Sequence, residues 1–274
     1  MDKNALRKIQ NTGEQICLEA GKILLKYRGK AQVLRSKTDF GDIVTEADEA
    51  SEKYIINSLK SAFPFHNFLS EESGQGETQS DYRWIIDPLD GTKEFARGVP
   101  LFAVNLALEY KQKLVLGIIY QPVVQELFSS ALDQGTSVNG TPVHVSEIAS
   151  LDKAIVYVHP PRGTESPETF DRIWRTLGEI GKHIYRLKTG SLEQFFSCWI
   201  ARGAYEAFWM SAPYPSWWDV APFVPIISEA GGKVTTALGN NVTELNFHKE
   251  GLVASNGKIH NQLLALIQKG GLYE

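Results

Sequence analysis

Cysteine is nearly absent: Cys17 and Cys198 are the only two among 274 residues. One pair cannot build the disulfide framework that stabilises small secreted domains, so a reducing, cytoplasmic setting is expected. Histidine is sparse too; its six copies are scattered with no pair at ligand spacing, so each reads as packing or surface rather than as a zinc ligand. No apolar run approaches the roughly 20 residues needed to span a bilayer, and Met1-Asp2-Lys3-Asn4 does not read as a signal peptide. Basic charge is not in excess. The 28 Lys and Arg against 32 Asp and Glu leave a net charge of -4, so neither nucleic acid nor an anionic membrane is an expected partner. Repeats and low-complexity tracts are missing. What remains, with 43% hydrophobic residues, is a globular chain long enough for one large domain or two coupled halves.

One stretch stands out from this plain background, Trp84-Ile85-Ile86-Asp87-Pro88-Leu89-Asp90-Gly91-Thr92. Trp84, Ile85 and Ile86 are β-prone, Pro88 cannot continue a central strand and Gly91 permits a tight backbone path, so a strand is expected to end at Asp87. Asp87 and Asp90 then share one short loop. Two carboxylates held that close repel each other unless one is protonated or a cation lies between them. Oxygen donors without His or Cys favour a hard ion, Mg²⁺ before Ca²⁺ or Mn²⁺. Asp-Pro and Asp-Gly are also ordinary turn dipeptides, and spacing alone does not separate the two readings. Lys93-Glu94-Phe95-Ala96-Arg97-Gly98 can follow as a short helix whose free N–H groups, at Gly91 and Thr92, suit an anion such as phosphate. Acids for a metal beside a phosphate cradle form a phosphoryl-transfer layout.

Elsewhere in the first half, residues 4–28 carry Leu6, Ile9, Ile16, Ala20, Ile23, Leu24 and Tyr27 at helical spacing. The polar stretch from Arg35 to Asp42 reads as an exposed loop, hairpin or flap. Thr45, three residues before Asp48, caps a second helix, in which Asp48 by itself is ordinary first-turn electrostatics. Asn67-Phe68-Leu69-Ser70 is a short strand that finishes in Glu71-Glu72. A strand ending in a carboxylate thus occurs twice. Phe102 to Tyr110, Leu114 to Tyr120 and Glu126 to Ala131 predict successive antiparallel strands. The pattern changes near Ser146 to Ser150, which separates an α+β half, 1–148, from a second half, 149–274.

In the second half strands and helices alternate: Ala154 to Val158, Glu168 to Gly181, Ile184 to Leu187, Leu192 to Ala201 and Tyr205 to Trp209. Such alternation predicts a mainly parallel, helix-covered sheet. A proline- and aromatic-rich loop, 211–218, delivers Asp219 to the next helix, with Pro222 in its first turn and Pro225 as a kink. Trp217 and Trp218 suit the core, or a pocket wall beside Asp219. Ser150-Leu-Asp-Lys153 with Lys188-Thr-Gly190 mimics part of a serine β-lactamase set, but the spacing is too short and the third element is missing.

Taken together, Asp42-Ile-Val-Thr45-Glu-Ala-Asp48, Ser70-Glu71-Glu72, Asp87-Pro-Leu-Asp90-Gly91-Thr92, Trp218-Asp219-Val-Ala and Glu229-Ala-Gly231-Gly232 make the chain similar to the inositol monophosphatase superfamily of Mg²⁺-dependent, lithium-sensitive phosphatases. The resemblance runs in order from about Gly13 to Lys269. It implies an α/β protein with the layered αβαβα sandwich of the inositol monophosphatase and fructose-1,6-bisphosphatase type. It also implies two to three Mg²⁺ per site: Glu71, Asp87 and the Leu89 carbonyl for one, Asp87, Asp90 and Asp219 for a second. Glu71 and Thr92 would orient the attacking water, Asp48 would hydrogen-bond Thr92, and Gly91 and Thr92 would hold the phosphate. Gly190 and Ser191 would contact substrate hydroxyls, and the Lys37 loop would act as a flap. A homodimer acting on a small phosphorylated metabolite, without nucleic acid or membrane, completes the expectation.

The substrate cues point several ways. Family members that take inositol phosphates carry an acid shortly before the Trp-Asp motif, where this chain has Trp209-Met210-Ser211-Ala212. Lys93-Glu94-Phe95 resembles the branch that removes the 3′-phosphate from adenosine bisphosphates, and Ala221-Pro222 to Gly232 resembles histidinol-phosphate phosphatases. Phe65-His66 and Val99-Pro100-Leu101-Phe102 look like the inositol branch. A phosphomonoesterase of the inositol monophosphatase type is the preferred reading, with those two as alternatives and a catalytically silent, metal-dependent regulatory protein as the reading from another class.

Overall fold

The computed structural model describes residues 2–36, 43–190, 192–211 and 216–273. It divides into two compact units, Met1–Pro142 with Trp217–Glu229, and Val143–Ser216 with Ala230–Glu274. The sequence placed the change of pattern near 148 and put Asp219 in the second half. The structure puts the boundary a few residues earlier and packs the segment carrying Asp219 with the first unit.

The first unit opens with α1 (Lys3–Tyr27), capped by Asp2 and burying Leu6, Ile16, Ala20 and Leu24 along one stripe. An antiparallel pair, β1 (Val33–Ser36) and β2 (Ile43–Thr45), leads to α2 (Glu46–Ala62). Then come β3 (Asn67–Ser70), β4 (Gly74–Gln75), β5 (Tyr82–Asp90), α3 (Thr92–Ala96), β6 (Ala103–Tyr110), β7 (Lys113–Gln121), β8 (Glu126–Ala131), β9 (Thr136–Val138) and β10 (Thr141–Val143). These strands form one eight-stranded sheet in the order β10-β9-β8-β7-β6-β5-β3-β4. Pairing from β5 to β9 is antiparallel, whereas β3 and β5 run parallel. Strand alternation sends Trp84, Ile86, Val104, Leu106, Leu108, Leu116 and Ile118 to the face covered by α1 and α2, where they form the core.

β5 runs three residues further than the sequence suggests. Asp87 pairs with Asn105 and Asp90 with Ala103, so β5 spends three steps where β6 spends two. That extra residue is a β-bulge, and it takes in Pro88 without disrupting the regular ladder. Its consequence is directional. In a regular strand, residues three apart face opposite ways; the bulge returns Asp90 to the face of Asp87 and Leu89 to the core face with Ile86.

The second unit holds β11 (Ile155–Val158), α4 (Pro167–His183), β12 (Arg186–Lys188), α5 (Glu193–Ser197) and β13 (Ala207–Met210). The helix expected over 192–201 is shorter: Leu192 takes a left-handed φ of 62°, and α5 gives way to a 3₁₀ turn at Cys198–Ile200. The chain then returns to the first unit as α6 (Trp217–Val220) and α7 (Phe223–Glu229) before β14 (Lys233–Thr235), α8 (Phe247–Glu250), β15 (Leu252–Ser255) and α9 (His260–Lys269). The break between α6 and α7 falls at Ala221-Pro222. Pro225, expected as a kink, lies in the first turn of α7, where a missing N–H costs no intrahelical bond. The five-stranded sheet has the order β12-β11-β13-β15-β14 and is mixed rather than mainly parallel. β11 pairs parallel with β12 and β13, while β15 is antiparallel to both β13 and β14. α4 and α9 pack together, and Val156, Ile173, Leu177, Trp209, Leu263 and Ile267 make this unit's core.

Within the first unit, α6 and α7 lie on the sheet face opposite α1 and α2. Gly117 of β7 makes this possible: a Cβ there would sit 2.0 Å from the Pro222 carbonyl oxygen. Thr136 Oγ1 donates to the Ile226 carbonyl at 2.6 Å, and Glu229 Oε2 accepts from the Gln134 and Gly135 amides at 3.2 and 3.1 Å. Trp217 is buried and its Nε1 donates to Glu109 Oε1 at 2.8 Å, so this tryptophan anchors α6 in the core.

Candidate active site

Three segments of the first unit bring their acids together. Asp87 comes from the end of the regular part of β5, Asp90 from beyond the bulge on the same face, and Asp219 from α6, which covers that face. One carboxylate oxygen from each lies within 4.8 Å of the other two. Glu71 joins them because β3 is parallel to β5: Ser70 pairs with Ile86, and the Glu71 amide donates to the Ile86 carbonyl at 3.2 Å. Both strands therefore end on the same side, each with an acid, and the Glu71 and Asp87 side chains share a hydrogen bond.

Asp87 is 1% exposed. Burial first, then the charges of Glu71, Asp90 and Asp219, push its carboxyl well above the usual carboxylate range. Its Oδ1 accepts from the Leu89 amide at 3.1 Å, which shapes the bulge. Asp90 accepts from Asn105 Nδ2 at 3.3 Å. Asn105 was not foreseen in the sequence; only its place opposite Asp87 across the β5–β6 ladder brings it here. Its Oδ1 is buried and without a hydrogen-bond partner among the described residues.

Beside the acids, Gly91 takes φ 86° and caps α3. A Cβ at Gly91 would lie 2.6 Å from the Leu101 carbonyl oxygen, so both conformation and space require glycine. Thr92 Oγ1 is 3.0 Å from Asp48 Oδ1 and 3.0 Å from the Leu89 carbonyl. Asp48 is the third residue of α2 and closes a capping box with Thr45, whose amide and hydroxyl donate to its Oδ2 at 2.8 and 2.6 Å. Burial raises the proton affinity of Asp48; hydrogen bonds from Thr45 and Thr92 work against that, and Glu71 adds to it.

Asp48, Glu71, Asp87, Leu89, Asp90, Gly91, Thr92 and Asp219 all belong to the first unit. Gly190 belongs to the second, where it follows β12 beside the Tyr157 hydroxyl. Lys37 and Ser191 lie outside the described residues. The donor set at the acids is oxygen only, which suits a hard divalent cation. A cation would also offset the mutual repulsion of carboxylates around Asp87.

The chain matches the model of the inositol monophosphatase family over residues 5–272. It is 34% identical to a Nus factor SuhB from Pseudomonas aeruginosa, the alignment covering 91% of this chain and 92% of that protein. To an inositol-1-monophosphatase from Synechocystis it is 33% identical, over 90% of this chain and 84% of the relative. The crystal structure of the extragenic suppressor protein suhB from Bartonella henselae superposes with a TM-score of 0.88 at 30% identity, covering 96% of this chain and 99% of that one. The layered α/β fold expected from the sequence is the fold of these solved structures. Among the described residues no helix is long and apolar enough to cross a membrane.

Proposed function

This chain belongs to the inositol monophosphatase family, and from that premise we propose that it is a Mg²⁺-dependent phosphomonoesterase, acting on a small phosphorylated metabolite of the inositol monophosphate type. The observation that carries the reading is the meeting of Asp87 and Asp90 of β5 with Asp219 of α6, within 4.8 Å. Glu71, Asp87 and the Leu89 carbonyl would hold one cation, and Asp87, Asp90 and Asp219 would hold a second. When bound, Mg²⁺ supplies Lewis-acid polarisation of the phosphoryl group and a lowered pKa for water. The rest of the chemistry belongs to the chain. Glu71 and Thr92 orient the attacking water, and Asp48, 3.0 Å from Thr92 Oγ1 and raised in proton affinity by burial, fixes that hydroxyl. The amides of Gly91 and Thr92 hold the phosphate oxygens. The resemblance assigns Gly190 and Ser191 to substrate hydroxyls and Lys37 to a flap, roles that rest on that resemblance alone. No covalent phosphoenzyme is needed.

A regulatory role is the second reading, favoured by the name Nus factor carried by the Pseudomonas relative. A phosphate-release panel with Mg²⁺, covering inositol 1-phosphate, histidinol phosphate and 3′-phosphoadenosine 5′-phosphate, separates the readings. Inositol 1-phosphate is expected to be turned over fastest, and Li⁺ to suppress release. Asp90→Asn is expected to cut turnover by about 100-fold or more while the circular dichroism spectrum stays native. Turnover by Asp90→Asn equal to the parent would overturn the metal assignment, and silence of the parent on every substrate would favour the regulatory reading.

A further inference from the structure

Glu52 lies one turn after Asp48 on α2 and is 9% exposed, yet it makes no ion pair among the described residues. A buried carboxylate without a cation is costly unless donors surround it. Three donors do so, all on the same oxygen: the Ser70 hydroxyl, the Ser73 amide at 3.0 Å and the Ser73 hydroxyl at 3.1 Å. Ser70 and Ser73 bracket the turn that carries Glu71 and Glu72. Arg35 braces the same turn from β1, pairing with Glu72 at 3.3 Å and with Glu49 at 2.9 Å.

The neighbouring residues of α2 do parallel work. Asp48 accepts from Thr92 at 3.0 Å, and Ser51 donates to the Pro88 carbonyl at 2.8 Å inside the bulge. Asp48, Ser51 and Glu52 thus lie on one face of one helix, all buried, and each bonds a different segment of the acid site. A helix held by its capping box and its core contacts is a rigid frame on which to register three loops. Glu52 serves the loop that ends in Glu71, whose side chain must meet Asp87 across two strand ends.

We propose that Glu52 is a positioning residue of the metal site: it touches neither metal nor substrate, and sets divalent-cation affinity by fixing the Ser70–Ser73 turn so that Glu71 faces Asp87. The inference rests on the reading of Glu71 as a metal ligand. Outer partners of this kind are worth about 10–100-fold in metal affinity.

The test is Mn²⁺ binding, followed by calorimetry and by the loss of the free-ion electron paramagnetic resonance signal, at a temperature well below the melting transition. Glu52→Ala is expected to bind Mn²⁺ about tenfold or more weakly than the parent. Glu52→Gln keeps an acceptor oxygen and is expected to restore affinity to within about threefold of the parent. Folded Glu52→Ala with parental affinity, or Glu52→Gln as weak as Glu52→Ala, overturns the proposal. If Glu52→Ala does not fold, Ser70→Ala and Ser73→Ala remove the two hydroxyl bonds one at a time and leave the Ser73 amide bond in place; weakened Mn²⁺ binding in either supports it, and parental binding in both and in the double variant overturns it. A parent chain that binds no Mn²⁺ overturns the metal reading itself, a result distinct from failure of Glu52 alone.

Discussion

A histidine far from the acids shows how burial sets a titration. His260 is fully buried in the second unit, with Nε2 2.9 Å from Thr235 Oγ1 and Nδ1 2.8 Å from Ser255 Oγ. Thr235 spends its own proton on the Thr236 carbonyl at 2.8 Å, so it accepts from Nε2–H, and Nδ1 accepts from Ser255. Burial, and then the Lys233 charge, lower the His260 pKa from 6.5 to about 4. Above the ordinary histidine value both folded and unfolded chains hold it neutral. As pH falls below that value the unfolded chain takes up a proton that the folded chain refuses, so stability falls until the folded value is reached. Urea midpoints of the parent and of His260→Asn are expected to converge between pH 7 and pH 4.5, since the variant lacks this proton uptake. A gap that stays constant over that window would count against it. Asp87 is the same physics with neighbours of like charge; the sequence showed it as one of two close carboxylates suited to a cation, and only the fold shows how deeply it is buried.

At the scale of elements, the sequence carried most of what placed α1, α2, β3 and β6–β8, because apolar residues at a period of 3.6 or 2 state which face is buried. The bulge in β5 was not legible. Pro88 signalled an interruption, but an interruption can end a strand or bend it, and only pairing with β6 selects the second. Parallel pairing of β3 with β5 was equally hidden, although two strands each ending in an acid were its trace. Close packing of α7 on β7 gives the prediction that belongs here. Gly117→Ala places a methyl group 2.0 Å from the Pro222 oxygen, where backbone must move. Stability is expected to drop by about 2 kcal/mol, and turnover to fall as well because Asp219 rides on the displaced segment. A variant that unfolds at the parental urea concentration would show that this face tolerates more than the geometry allows.

At the scale of the whole molecule, a thirteen-residue excursion is decisive: Trp217–Glu229 leaves the second unit's stretch of sequence and packs with the first unit. A cation that binds there joins segments well over a hundred residues apart in the chain, and it binds the folded state alone. Mg²⁺ at 100 times its dissociation constant is therefore expected to add about 2.7 kcal/mol of stability, read as a rise in melting temperature that a chelator reverses. Asp90→Asn should show little of that rise. A parent chain whose melting is indifferent to Mg²⁺ would sever the link between the acids and a metal.

The sequence by itself determined the kinds of element, the buried faces and the donor chemistry, since these follow from side-chain type and from spacing along a few turns. It also determined the family, because several short motifs in a fixed order are specific where each one alone is weak. Tertiary structure decided which acids meet, on which face Asp90 lies, that Asn105 and Glu52 stand behind them, and that Trp217 is an anchor. Those outcomes depend on strand partner, register and chain return, which are contacts between residues far apart in sequence, and local preference carries no information about them.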